Sequence, residues 1–288
     1  MTGLLAGCSV VRLSGQQPNA ELPMAPMEDV GQDVTGAFEG WFQNPDGTFS
    51  LLVGYFNRNL KQELDIPIGP NNHIDPGGPD RGQPTHFLRT RGWGMFTIEV
   101  PKDFGDKQLT WTLVTNGRAD VIPLSLNPLW EISPMHEQTM GNTPPFLAFS
   151  AEGPFVQGPR PLTTSIETTL PNPLTLTVWA ADDAKVLEGS KKNPPGAPIS
   201  VTWTKFRGPG TVTFANNKPP LEKADFKVPD GTKVSGMATT TATFSEAGDY
   251  VLHVVANDWS GAGGMGFQCC WTNAMVKVSV KPATSAGH

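Results

Sequence analysis

The stretch "ATFSEAGDYVLHVVAND", Ala242 to Asp258, decides the fold. It reads as a strand ending at Phe244, a turn at Ala247–Gly248, and a long strand from Tyr250, because short apolar-alternating runs separated by a Gly turn are the signature of antiparallel β-structure. The same pattern extends outward on both sides. "LTLTVWAADD", Leu174 to Asp183, alternates Leu174, Leu176 and Val178. "ISVTWTKFRGPGTVTF", Ile199 to Phe214, gives two strands around Gly208–Pro209–Gly210, and "NAMVKVSV", Asn273 to Val280, closes the series. Short strands at this spacing point to a β-sandwich of the immunoglobulin type.

These segments carry a resemblance. Trp203 followed after four residues by Gly208-Pro209-Gly210, and the "AGDY" corner leading into "AND", resemble the PKD-like branch of immunoglobulin-like domains over about residues 170–281. The resemblance implies an extracellular seven-stranded sandwich that serves as spacer or interaction module without catalysis. It also implies a core role for Trp203. Tyr250 resembles the tyrosine corner, whose hydroxyl closes a backbone turn. The stretch between Trp259 and Ala274 is longer than such domains usually carry. The whole chain resembles uncharacterised secreted bacterial proteins.

The N-terminal half reads as a second sandwich. "GAFEGWF" and "TFSLLVGYFNRN" flank the turn "NPDG", Asn44–Gly47, as a hairpin. "QELDIPIG" contains Pro67 and reads as an edge strand. "WGMFTIEVP" and "KQLTWTLVTNG" are further strands, the latter ending in the hairpin turn Asn116–Gly117 before "ADVIPLSL". No segment here sustains a helical period. The expectation is an all-β chain of two antiparallel β-sandwich domains behind a disordered N-terminal leader. Its divisions are residues 1–35 as leader or tether, 36–140 as the first sandwich, 141–169 as linker and first edge segment, and 170–282 as the PKD-like sandwich.

Composition agrees with many strands and turns. The 288 residues include 31 Gly and 28 Pro, about a fifth of the chain, and only 17% are charged. Net charge is −6 with no basic stripe, which argues against a nucleic-acid partner. No run of about 20 apolar residues is present, so no transmembrane helix is expected. "LLAGC", Leu4 to Cys8, resembles a bacterial lipobox, which makes Cys8 a candidate lipid anchor, although only seven residues, none basic, precede it. The polar stretch after it fits a tether. The expected location is extracytoplasmic: periplasmic, outer-membrane-tethered or secreted.

Three groups of residues bear on chemistry. In an immunoglobulin-like sandwich the loop after the second strand and the loop before the last open at one end. Asp182 and Asp183 lie in the first, Asn257 and Asp258 in the second, so oxygen-bearing side chains suited to Ca²⁺ or to a sugar would converge there. The plainer reading is that Asp and Asn cap turns. In "GFQCCWTNA", Cys269 and Cys270 allow three readings: buried free thiols, a poor metal site, or a vicinal disulfide expected of an exported chain. Trp259, Phe267 and Trp271 surround them as candidate contacts for glycan or another envelope protein, or as a plug on the open end. The alternative class is an enzyme: a metal-dependent or acid/base hydrolase using His73, Asp75, Asp80 and His86 in the long loop from Gly69 to His86. No HExxH or similar spacing supports it. The expected function is a non-catalytic binding or spacer protein of the cell envelope.

Overall fold

The computed structural model describes residues 27–138, 141–185, 199–258 and 269–283. Cys8, Trp259 and Phe267 lie outside them. The described chain is all-β apart from one 3-10 turn at Pro128–Trp130, capped by the Asn127 side chain.

In the N-terminal sandwich, β1 (Val34–Gln43), β2 (Phe49–Asn57) and β6 (Thr90–Val100) form one antiparallel sheet in the order β1-β2-β6. Opposite it, β4 (Asn72–Asp75), β7 (Gln108–Thr115) and β8 (Arg118–Ser125) form a second in the order β4-β7-β8. A short ladder of β3 (Leu64–Asp65) and β5 (His86–Phe87) lies beside them. The alternating apolar positions meet between the sheets, where Leu51, Val53, Phe96, Ile98, Trp111 and Leu113 share one core. Asn116 and Gly117 both have positive φ, as the tight β7–β8 turn requires.

Glu39 breaks this regularity. It sits at an irregularity in β1 between Phe38 and Gly40, matched by one in β2 between Val53 and Tyr55. Its buried carboxylate pairs with Arg91 and accepts a hydrogen bond from the Gly94 backbone N–H at 2.8 Å. Burial pushes its pKa up, against the opposing pull of Arg91.

The C-terminal sandwich contains β9 (Phe146–Ala148), β10 (Leu162–Thr169), β11 (Leu174–Asp182), β12 (Ser200–Arg207), β13 (Val212–Phe214), β14 (Val234–Phe244), β15 (Gly248–Asn257) and β16 (Trp271–Lys281). One sheet runs β13-β14-β11-β9 and the other β10-β16-β15-β12, with β10 parallel to β16 and every other pairing antiparallel. This is the strand order of an immunoglobulin-like sandwich whose first strand is split between the sheets. Leu176, Val178, Trp203, Leu252, Val254, Val276 and Val278 fill its core. Trp203 is 1% exposed. The Tyr250 hydroxyl donates to Glu246 O at 2.9 Å and accepts from Gly210 N at 3.1 Å, closing the turn that leads into β15. The ring lies so close over Gly208 that a β-carbon there has no room.

The two sandwiches share a core rather than a linker. Phe206 and Met275, on the outer face of the second sheet, belong to the same apolar cluster as the N-terminal core. Asn273 Nδ2 donates to Gly94 O at 2.7 Å, which ties β16 to the backbone that Glu39 holds. Arg207 forks onto Asp80 at 2.8 and 2.9 Å, Lys205 reaches Asp65 at 3.2 Å, and Thr85 N donates to Phe206 O at 3.1 Å. Buried His253 lies under this interface, with Nε2 2.9 Å from Asn273 Oδ1. Burial holds its pKa down at about 4, so the ring is neutral.

Candidate functional site

The candidate site lies at the end of the C-terminal sandwich where β11 and β15 finish. Asp182 is the last residue of β11, and Asp258 follows β15. Both are buried, at 1% and 6% exposure. Asp183 follows Asp182 and is half-buried. A third segment joins them from the chain leading into β9. Asn142, fully buried, donates its Nδ2 to Asp258 Oδ2, and Thr143 Oγ1 donates to Asp183 Oδ2 at 3.1 Å. The sequence places Asn142 and Thr143 in a proline-rich stretch expected to be linker, so their part in the site was not anticipated.

The polar groups here are incompletely matched. Asp182 Oδ2 accepts from the Ala184 N–H at 2.8 Å, while Asp182 Oδ1 is buried with no hydrogen-bond partner among the described residues. Asn142 Oδ1 and Asn257 Oδ1 are in the same condition. A buried acceptor without a donor is costly, on the order of 1–3 kcal/mol. The Asp182 pKa is pushed up to about 7, chiefly by burial, with repulsion from Asp258 and Asp183 adding to it against the Ala184 hydrogen bond. Lys185 Nζ lies 3.5 Å from Asp183 Oδ2 and also reaches Gly141 O, which supplies part of the missing positive charge. Among the described residues no three His, Cys, Asp or Glu side chains are already arranged around one point as a metal site. A cation here would draw on the carboxylates of Asp182, Asp183 and Asp258 and on the amide oxygens of Asn142 and Asn257.

The floor of this end is covalent. Cys269 and Cys270 are joined in a vicinal disulfide with a cis peptide bond between them, and both are buried. Asn142 O lies 3.6 Å from Cys270 Sγ and 4.0 Å from Cys269 Sγ. A disulfide sulfur carries no hydrogen, so these are packing contacts. They seat Asn142 on the bridge while its side chain faces Asp258.

Trp271 does not offer a contact surface. It is 0% exposed, and its ring packs on Gly94 so tightly that a β-carbon there has no room. It is the first residue of β16, on the face that meets the N-terminal sandwich. The residues of the enzyme alternative are not brought together either. His73 faces Asp75 at 3.4 Å within β4. His86 Nδ1 is 2.9 Å from Asp65 and its Nε2 is 3.2 Å from Glu63. Asp80 is held by Arg207, whose hydrogen bonds keep its carboxyl below the usual range. Within the long loop, Asp80 and the backbone of Gln83 and Thr85 bond to Arg207 and Phe206 of the other sandwich, while His73 and His86 pair within their own.

No protein-family model and no curated protein matches the chain. Among solved structures, the PKD domain (residues 329–428) of human KIAA0319 is similar at 19% identity over 46% of this chain and 95% of that one, with a TM-score of 0.22. Domains 4 and 5 of the S-layer protein SbsC are similar at 12% identity over 87% of this chain and 98% of that one, TM-score 0.23. The titin immunoglobulin tandem A164-A165 is similar at 11% identity over 87% and 100%, TM-score 0.20. These overlaps are loose, and the strand order carries the fold. With β10 parallel to β16, Trp203 in the core and Tyr250 closing its corner, the C-terminal region has the architecture of an immunoglobulin-like β-sandwich.

Proposed function

We propose that this chain is a non-catalytic extracytoplasmic spacer or binding protein whose two sandwiches act as one rigid body. The observation that carries the reading is the shared core, in which Phe206 and Met275 of the second sandwich pack among the N-terminal apolar residues. A calcium ion at the Asp182, Asp183, Asn257, Asp258 and Asn142 end is part of the same proposal. It is supported by the buried unpartnered oxygens and by the raised Asp182 pKa. The vicinal disulfide supports an oxidising compartment. Glycan or another envelope protein is the proposed partner, with Trp259 and Phe267 as the proposed contacts, and Cys8 is the proposed lipid anchor.

Calorimetry tests the rigid body. One cooperative transition is expected, with Met275→Asp lowering it as a whole. Two independent transitions in the unaltered protein would overturn the reading. Titration calorimetry of chelator-treated protein with CaCl₂ tests the cation, and heat that persists in Asp182→Ala would place calcium elsewhere.

A further inference from the structure

The N-terminal sandwich closes on one side without a backbone ladder. β1 and β8 are the end strands of their two sheets, and they do not pair with each other. Side chains of the β7–β8 hairpin hold the seam instead. Thr115 Oγ1 accepts from Val34 N at 3.3 Å, and Asp120 Oδ2 accepts from Gly36 N at 2.9 Å. Arg118 Nη1 lies 3.3 Å from Asp33 Oδ2. At the tip of the hairpin, Asn116 Nδ2 donates twice, to Gly31 O at 3.0 Å and to Asp33 Oδ1 at 3.1 Å. One amide thus pins the chain that leads into β1.

Asn116 is also the one asparagine in the sequence that precedes glycine. That neighbour bears on covalent chemistry, because an asparagine amide is open to attack by the backbone nitrogen of the next residue. Glycine obstructs the attack least, having no β-carbon. Asn44, Asn127 and Asn172 precede proline, whose nitrogen has no hydrogen to give up. Asn116 and Gly117 are both exposed, and the space beside Gly117 is open. Both lie beyond the last pair of the ladder, Thr115 with Arg118.

We propose that Asn116 is a site of spontaneous deamidation, and that its conversion unlatches the seam between β1 and β8. In the reaction the Gly117 nitrogen bonds to Asn116 Cγ and the Cγ–Nδ2 bond breaks. Nδ2 leaves as ammonia with the proton that the Gly117 nitrogen gave up. Water then opens the cyclic imide at either carbonyl, giving aspartate or isoaspartate, and no oxidant or reductant is needed. Aspartate puts a carboxylate where the amide stood. Isoaspartate routes the main chain through the former side chain and adds a backbone atom to a two-residue turn. Neither supplies the two N–H groups of the amide, so Gly31 O and Asp33 Oδ1 lose their donor. A new carboxylate also meets a seam that is already acidic. Burial, together with the charge of Asp33, pushes the Asp120 carboxyl above its ordinary range against the Gly36 hydrogen bond. Until conversion the two hydrogen bonds hold the amide in place, so the strap and the turn protect each other.

Peptide mapping by mass spectrometry of the full chain, sampled during incubation at pH 8, tests the modification. Aspartate and isoaspartate are expected to accumulate at position 116 ahead of exposed Asn216 and Asn217 in the same samples. Asp33→Ala, which removes one of the two anchors, is expected to speed the conversion several-fold. Asp33→Asn keeps an acceptor for the amide and is expected to hold the original rate. Asn116→Asp, which mimics one product, is expected to speed amide hydrogen exchange at Val34 and Gly36 about tenfold and to leave Tyr250 unchanged. An amide that persists at position 116, a rate unmoved by Asp33→Ala or raised equally by Asp33→Asn, or unchanged exchange at Val34 and Gly36 would each overturn the proposal.

Discussion

The two ends of the C-terminal sandwich are built from the same strands and finished in opposite ways. At one end Tyr250 closes the turn before β15, and its hydroxyl is both donor and acceptor to nearby backbone. At the other, where β15 runs out, Asp182, Asn142 and Asn257 each keep a buried oxygen without a partner among the described residues, and Asp258 and Asp183 raise the pKa of Asp182 further. The first end satisfies its polar groups from within the chain. The second leaves three acceptors without a donor from the described chain. A fold can be stable with one such end because its core and its closed end already hold the strands in register.

Four measurements sharpen or break this contrast. Tyr250→Ala removes a buried ring and the corner together, and is expected to cost about 3–5 kcal/mol in urea unfolding. A loss below about 1 kcal/mol would mean that the corner is not what closes that end. Calcium at a hundred times its dissociation constant is expected to add about 2.7 kcal/mol at pH 8, read as a raised melting temperature over chelator-treated protein. No change would leave the open end without its cation.

The third measurement uses pH. The folded pKa of Asp182, about 7, lies above its unfolded value of 3.8, so in cation-free protein this group lowers stability as pH rises from about 4 to 7. His253 works oppositely: its folded pKa of about 4 lies below the ordinary 6.5, so stability falls as pH drops from 6.5 to 4. The two oppose each other over one window. Asp182→Asn is expected to unmask the histidine and add acid sensitivity on the order of 2 kcal/mol between pH 7 and 4. An unchanged pH profile would show that Asp182 titrates normally. The smallest effect is Tyr250→Phe, expected to cost about 1 kcal/mol for the lost hydroxyl, with no change in calcium response.

Much of this architecture is legible in the residues. Alternation in "LTLTV" and after Tyr250 places strands with one buried face, and Asn116–Gly117 marks its hairpin. The start of β16 is harder, because from Trp271 to Val276 every residue is buried. One face lies in its own sandwich and the other against the N-terminal one, so the period of two disappears, and Trp271 reads as a loop aromatic, contact or plug, rather than as the first residue of a strand. Asn142 was invisible for another reason. Its partner Asp258 is 116 positions away, and the prolines around it resemble a linker, although Pro144 and Pro145 are buried. The charges of the Gly69–His86 loop suggest catalysis when their partners Asp65 and Arg207 are not in view. Asp182, Asp183 and Asp258 could be placed at one end from strand order alone, but which of their oxygens lack donors is a matter of packing.

The contact between Gly94 and Trp271 also constrains how such a protein can change over generations. Domains strung on flexible linkers can be shuffled by recombination, because a cut between them exposes little. A cut ahead of β9 would turn Phe206, Trp271 and Met275 toward water and strip Glu39 and Gly94 of the strand they support. A side chain at Gly94 in one half needs a smaller residue at position 271 in the other to make room for it.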